Sequence, residues 1–216
     1  MRSRERLLKR SRLLKNSLLC VIADKTNISG RKPAVFASDC ADSGADMIQY
    51  RNKGSDQAEM IKTSIAIKRS LGKRRIPFIV NDRVEIAAAS GADGVHLGQG
   101  DIGISIARKV LGKEAIIGVS ASRSVQAREA ALGGADYLGI GPIFGTPLKP
   151  QKTPTGIGFL RSAARSGLPV IAIGGIDIRR AAVLAERGFR KIAVIRALCV
   201  PQDLSMVVRK LKKAIS

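Results

Sequence analysis

A chain of 216 residues, 45% of them hydrophobic, is long and apolar enough to bury one full core, and it has no apolar run long enough to span a membrane. Only 3% of the residues are aromatic and Trp is absent, so the core must come from Ile, Val, Leu and Ala, which suits parallel β/α architectures with strands buried on both faces. The net charge of +21 draws polyanions without choosing among phosphorylated ligands, nucleic acid and anionic membrane, while the odd count of three cysteines (Cys20, Cys40, Cys199), none in a CxxC pair, fits no disulfide framework and points to the cytoplasm.

The basic start, MRSRERLLKRSRLLKNSLLCVIAD, resembles a signal peptide only superficially. Its apolar stretch, 18–23, is too short, and no small-residue cleavage site follows. Residues 3–15 read as a basic helix with Leu7, Leu8 and Leu14 on one side, and 18–23 as the first strand. An internal echo then recurs: SGADMIQY from Ser43, SGADGVHL from Ser90, GGADYLGI from Gly133 and, more weakly, RGFRKIAVI from Arg187. Each copy has a glycine where a helix ends, because glycine accepts left-handed dihedrals cheaply, and then an apolar strand. The echoes lie about two strand–helix units apart.

Strands are predicted at 18–23, 46–50, 77–80, 93–97, 115–119, 136–140, 169–173 and 191–195. Between them, Ala58, Ile61 and Ile65 at helical spacing predict one helix, and 84–89 another. Eight alternating pairs predict an α/β fold, a (β/α)8 TIM barrel, as a single domain over 1–216: basic helix 1–16, barrel 17–216. The alternative, an open doubly wound sheet, lacks a GxGxxG after its first strand.

In such a barrel the functional residues sit at the C-terminal strand ends. Strand 2 leads into Gln49, Arg51 and Lys53; strand 3 into Asn81, Asp82 and Arg83; strand 4 into Gln99 and Asp101. Strand 5 ends at Ser120, strand 6 enters the loop GPIFGTPLKPQKTPTG, strand 7 ends in Gly174 and Gly175, and strand 8 at Arg196. Asp82 and Asp101, on neighbouring strand ends, suit Mg²⁺, with Arg51 and Lys53 as positive charge for its phosphates. The glycines after strand 7 suit a phosphate held by backbone N–H groups. The competing readings are bland. Asp82 could cap the helix from Arg83, Asp101 could begin the helix from about Ser105, and the glycines could form a plain turn.

The ordered set QxRxK (49–53), ND (81–82), GVHLGQxD (94–101), GVS (118–120), GADYxGxGPIFxTxxK (134–149) and AIGGI (172–176) resembles the thiamine phosphate synthase family from the first strand to the eighth. The resemblance implies a Mg²⁺-dependent transferase. It condenses 4-amino-2-methyl-5-hydroxymethylpyrimidine pyrophosphate with hydroxyethylthiazole phosphate, giving thiamine phosphate and pyrophosphate through a dissociative step with a pyrimidine carbocation. By motif position, Arg51, Lys53, Ser120 and Lys149 would carry the catalysis. Gln49, Tyr50, Arg51, Asn52, Lys53 and Asn81 would hold the pyrimidine substrate, Ser120 and Lys149 would contact its pyrophosphate, and Thr146, Gly175, Ile195 and Arg196 would receive the thiazole phosphate. Asp82 and Asp101 would be the metal ligands. Three positions depart from the family pattern: Leu148 stands where a hydroxyl is usual, Arg196 where Ser is usual, and Ser122 where His is frequent.

Two rivals frame this reading. A thiazole tautomerase of the same barrel type needs a general acid/base just after strand 5, where the chain has Ser120-Ala121-Ser122. A nucleic-acid-binding relative would use the basic N-terminus and RKLKK near the C-terminus, but aromatics to stack on bases are scarce. Self-association into a homo-oligomer stays open. The lone histidine, His96, lies within strand 4, on the face opposite Val95 and Leu97.

Overall fold

The apolar runs become strands, each parallel to its neighbours. In the computed structural model, which describes residues 13–54, 56–148, 150–199 and 203–216, they are β1 (Leu19–Asp24), β2 (Met47–Arg51), β3 (Phe78–Asn81), β4 (Gly94–Leu97), β5 (Ile116–Ala121), β6 (Tyr137–Ile140), β7 (Val170–Ile173) and β8 (Ile192–Val194). They close into a barrel in chain order, β8 pairing back onto β1. Among the described residues, these helices alternate with them: α1 (Pro33–Asp42), α2 (Gln57–Leu71), α3 (Val84–Ser90), α4 (Ile104–Leu111), α5 (Ser124–Leu132), α6 (Gly156–Ala164), α7 (Ile178–Glu186) and α8 (Leu204–Ile215). The predicted TIM barrel is the observed fold.

Strand alternation divides the core in two. Val21, Ile48, Tyr50, Phe78, Val80 and Leu97 face outward and pack under the helices. Cys20, Ile22, Met47, Ile79, Ile116, Tyr137 and Ile171 face inward and fill the barrel. Of the predicted basic helix, residues 1–12 lie outside the described residues; 13–16 are helical, and Leu14 joins the interior cluster. The predicted stripe on α2 is rotated. Met60, Ser64, Ile67 and Leu71 are buried, while Ile61 and Ile65 flank them and Ala58 is exposed. The polar Ser64 in the buried row is what hid the true face from the hydrophobic pattern. Cys20 and Cys40 are buried and Cys199 only partly so.

The echo has a structural cause. Each echoed Asp precedes an even-numbered strand and accepts the first N–H groups of the strand before it. Asp46 accepts from Leu18 and Leu19 at 2.9 and 2.8 Å, Asp93 from Phe78 at 2.8 Å, and Asp136 from Ile117 at 2.8 Å. These N–H groups lie where the ladder begins, and a carboxylate satisfies them. A cation completes each site: Lys212 at Asp46, Lys68 at Asp93, Arg108 at Asp136. In the fourth, weaker copy the place of Asp is taken by Arg190, and the next residue, Lys191, directly before β8, donates to the carbonyls of Leu14, Lys15 and Ser17 at 3.0, 2.6 and 2.9 Å. The period of two strands thus belongs to the N-terminal rim, and the opposite rim is free to vary.

Candidate active site

At the C-terminal ends of the strands lies a cavity of about 510 Å³. Because inward positions alternate, Gln49 and Arg51 of β2, Asn81 of β3, His96 of β4 and Ser120 of β5 all line it. Thr146, Gly175, Ile195 and Arg196 line it as well. Tyr50 and Asn52 do not. Tyr50 points outward and is 1% exposed, and Asn52 Nδ2 donates to its hydroxyl at 3.3 Å. Strand parity separates them from Gln49 and Arg51. Lys149 lies outside the described residues.

Arg51 is held by an acid that the strand-end reading missed. Asp24, the last residue of β1, is register partner to Arg51 and forms an ion pair with it. Asp24 directly follows the predicted first strand, 18–23, so the same strand-end rule picks it out once it is applied to strand 1 as well as to strands 2–8. Burial alone would raise this carboxyl, but the Thr26 hydroxyl at 2.7 Å and the Arg51 guanidinium outweigh it, so its pKa lies below the usual carboxylate value. A lowered folded-state pKa adds stability above the unfolded value of about 3.9, lost as pH falls through the folded value. Asp24→Asn is therefore expected to flatten the acid side of the stability profile below about pH 4, measured by urea unfolding across pH 2–6. An unchanged acid limb would show that Asp24 does not carry it.

Lys53, Asp82 and Asp101 meet at the rim. The Lys53 ammonium pairs with Asp82, and Asp101 Oδ2 accepts the Gly98 N–H at 2.6 Å. Neither acid caps a helix. The residue before α3 is Arg83, the residue before α4 is Gly103, and neither helix start has a side-chain cap. Asp82 instead adopts a left-handed φ of +64°, its N–H donating to the His96 carbonyl at 2.8 Å. Such a backbone is uncommon outside glycine and is held here by a neighbouring strand. The Asp101 carboxyl is pushed up by burial and by the Asp82 carboxyl, which lies within hydrogen-bonding reach, while the Gly98 N–H pulls it down. Two carboxylates crowded together, one already paired with an ammonium, form a donor set that fits a hard divalent cation. Among the described residues no cluster of three or more His, Cys, Asp or Glu could hold a metal, so water or substrate oxygens would fill the other positions at this pair.

Across the mouth, Gly174 (φ +101°) and Gly175 (φ +64°) end β7. Phe144 N donates to the Gly174 carbonyl at 3.1 Å, and Arg180, from α7, donates to the Gly175 carbonyl at 2.6 Å. Arg180 also lies over the Phe144 ring, 5.0 Å from its centroid. Arg180, Lys152 and the exposed Arg196 add positive charge beside these glycines. Arg180 was not among the strand-end candidates, because it reaches the mouth from a helix. Leu148 puts an apolar side chain in the lining, and Ser122 is tied to Gln126 Oε1 by its N–H and hydroxyl.

A closed parallel barrel with charged and hydrogen-bonding groups gathered at its C-terminal mouth defines the class of TIM-barrel enzymes. Within that class, the profile of the family described as thiamine monophosphate synthase matches residues 19–198, and the chain belongs to that family. It is 43% identical over 195 residues to the thiamine-phosphate synthase of Chlorobium limicola, covering 89% of this chain and 91% of that one. It is 38% identical over 174 residues to the thiamine-phosphate synthase of Thermosynechococcus vestitus, spanning only 50% of that protein. Among solved structures, thiamine phosphate pyrophosphorylase from Pyrococcus furiosus superposes with a TM-score of 0.84 at 33% identity, covering 94% of this chain and 97% of that one.

Proposed function

We propose that this mouth acts as a thiamine-phosphate synthase, a transferase that joins a hydroxymethylpyrimidine pyrophosphate to a hydroxyethylthiazole phosphate. One observation carries the reading. A single cavity gathers Arg51, Asn81 and Ser120 on one side and the cation-flanked Gly174 and Gly175 on the other, enough for two phosphorylated substrates. Its support from likeness is the family match and the full-length similarity to the Chlorobium enzyme.

In the reaction the bond between the pyrimidine methylene carbon and the pyrophosphate oxygen breaks, and the electron pair leaves with pyrophosphate. The thiazole nitrogen supplies the pair for the new carbon–nitrogen bond, so no proton need move and no protein nucleophile is required. The chain's task is to stabilise the negative charge on the departing oxygens and hold the thiazole in line. Arg51, anchored by Asp24, and the Ser120 hydroxyl face the leaving group. Asp82 and Asp101 would hold Mg²⁺, which when bound neutralises pyrophosphate charge. Lys53 would be released from Asp82 toward the same oxygens. The turn at Gly174 and Gly175 offers backbone N–H groups to the thiazole phosphate, with Arg196 and Lys152 beside it.

The tautomerase alternative finds no support in the geometry. It needs an acid/base after β5, where Ser122 is engaged with Gln126. The test is incubation of the purified chain with both precursors, with and without Mg²⁺. The expected result is thiamine phosphate and pyrophosphate in equal amounts, dependent on the metal; absence of both products overturns the reading.

A further inference from the structure

The barrel interior holds the chain's one histidine between two hydroxyls. His96 Nδ1 lies 2.9 Å from Tyr137 Oη, and Nε2 lies 2.9 Å from Ser120 Oγ. The Gln49 amide bonds the phenol in turn. A line of hydrogen bonds therefore crosses the pore from β2 through β6 and β4 to β5, and it surfaces at Ser120.

Room for this line comes from two glycines. Tyr137 is the register partner of Gly118, and a Cβ on Gly118 would stand 2.1 Å from the phenol ring. Ser120 is the register partner of Gly139, and a Cβ there would stand 2.8 Å from His96 Cε1. The phenol occupies space that a side chain at Gly118 of the adjacent β5 would fill, and the imidazole space that a side chain at Gly139 of β6 would fill.

The line also has a direction. A neutral imidazole has one donor nitrogen and one acceptor. The buried phenol has one proton, and with the Gln49 amide donating to its oxygen, that proton is the donor left for Nδ1, 2.9 Å away. The phenol oxygen keeps its lone pairs for a Gln49 N–H. With Nδ1 accepting, the proton sits on Nε2 and points at Ser120 Oγ. The Ser120 hydroxyl proton is then turned away from the ring and toward the mouth. The opposite tautomer would draw that proton inward.

We infer that His96 is a positioning residue: oriented by Tyr137 and Gln49, it holds Ser120 as an outward hydrogen-bond donor to the departing pyrophosphate. The inference rests on the function proposed above and gives the lone histidine a role that involves no proton transfer to substrate. A donor fixed before the reaction stabilises developing charge without reorganising, whereas a freely rotating hydroxyl must first be ordered.

With one histidine in the chain, two-bond ¹H–¹⁵N correlation on the full-length, ligand-free protein reads the tautomer of His96 without ambiguity. The expected signature at neutral pH is a neutral ring protonated on Nε2; an Nδ1–H ring or an imidazolium overturns the inference. Neither outcome depends on substrate, so a failed coupling assay would overturn the function and leave the tautomer result intact. Tyr137→Phe keeps the ring volume and removes the donor. It is expected to populate the Nδ1–H form and to lower kcat about tenfold, with KM for the pyrimidine pyrophosphate changed much less. His96→Gln, whose amide can still donate to Ser120, is expected to recover more kcat than His96→Leu. Tyr137→Phe with an unchanged tautomer, or His96→Leu matching His96→Gln, would overturn the inference.

Discussion

Asp82→Asn and Asp101→Asn are each expected to lower coupling by about 100-fold or more while the barrel stays folded. Both changes keep the shape of the side chain and remove its charge. Asn tolerates the left-handed backbone of position 82 as well as Asp does, and the bond from its N–H to the His96 carbonyl is unaffected. At position 101 the amide oxygen of the substituted side chain can still accept from the Gly98 N–H. What disappears is the pair of anions proposed to hold the divalent cation. The measurement is the rate at saturating precursors as a function of Mg²⁺ concentration, with a thermal melt of each variant. A melting temperature close to that of the parent, with a metal requirement shifted far upward, is the expected pattern. Full activity at ordinary Mg²⁺ in either variant would refute the assignment of these two residues to the metal.

Gly174→Ala is expected to be strongly damaging for a change of a single methyl at the mouth. At φ +101° an L-residue is strained, and the added Cβ would stand 2.6 Å from both Cα and Cβ of Pro142. Strain and overpacking together are expected to cost about 2–5 kcal/mol, which lowers Tm by roughly 10 °C in a domain of this size. Relief has to come from the β6–α6 loop, which is bonded to this turn through Ile143 N to Ile173 O and Phe144 N to Gly174 O at 2.9 and 3.1 Å. The side of the cavity proposed to take the thiazole phosphate should therefore loosen, seen as a rise in KM for that substrate beyond any change for the pyrimidine pyrophosphate. Gly167→Ala separates the two causes. That residue has φ +79° with nothing within 4 Å of an added Cβ, so the substitution introduces strain alone, about 1–2 kcal/mol, and should leave both KM values as they were. Equal effects of the two substitutions on stability and KM would show that the contact with Pro142 does not matter.

Much of this architecture is local information. Strand number and order follow from apolar runs spaced by helices, and the glycine-marked echo reflects helix ends that need a left-handed residue. The echoed Asp looked like part of a repeat, and its purpose became visible only when Asp46, Asp93 and Asp136 were found on the first N–H groups of the preceding strands. Among the candidate residues, strand alternation already implied that Gln49 and Arg51 share a face and Tyr50 does not. Naming the whole QYRNK stretch as one binding set put that rule aside, and Tyr50 and Asn52 fell on the outer side.

The sequence by itself determined the barrel and the rim to which the polar strand-end residues, Asp82 and Asp101 among them, belong, because periodicity, helix ends and strand ends are properties of neighbouring residues. It did not decide whether Asp82 and Asp101 cap helices or crowd each other, that Asp24 holds Arg51, or that His96 lies between Tyr137 and Ser120. Those outcomes depend on residues far apart in the chain meeting across strands: 27 positions for Asp24 and Arg51, 41 and 24 for the two partners of His96. A side chain's partner inside a barrel is set by register between strands and by the glycines that leave room for it, and only the closed tertiary structure brings both into play.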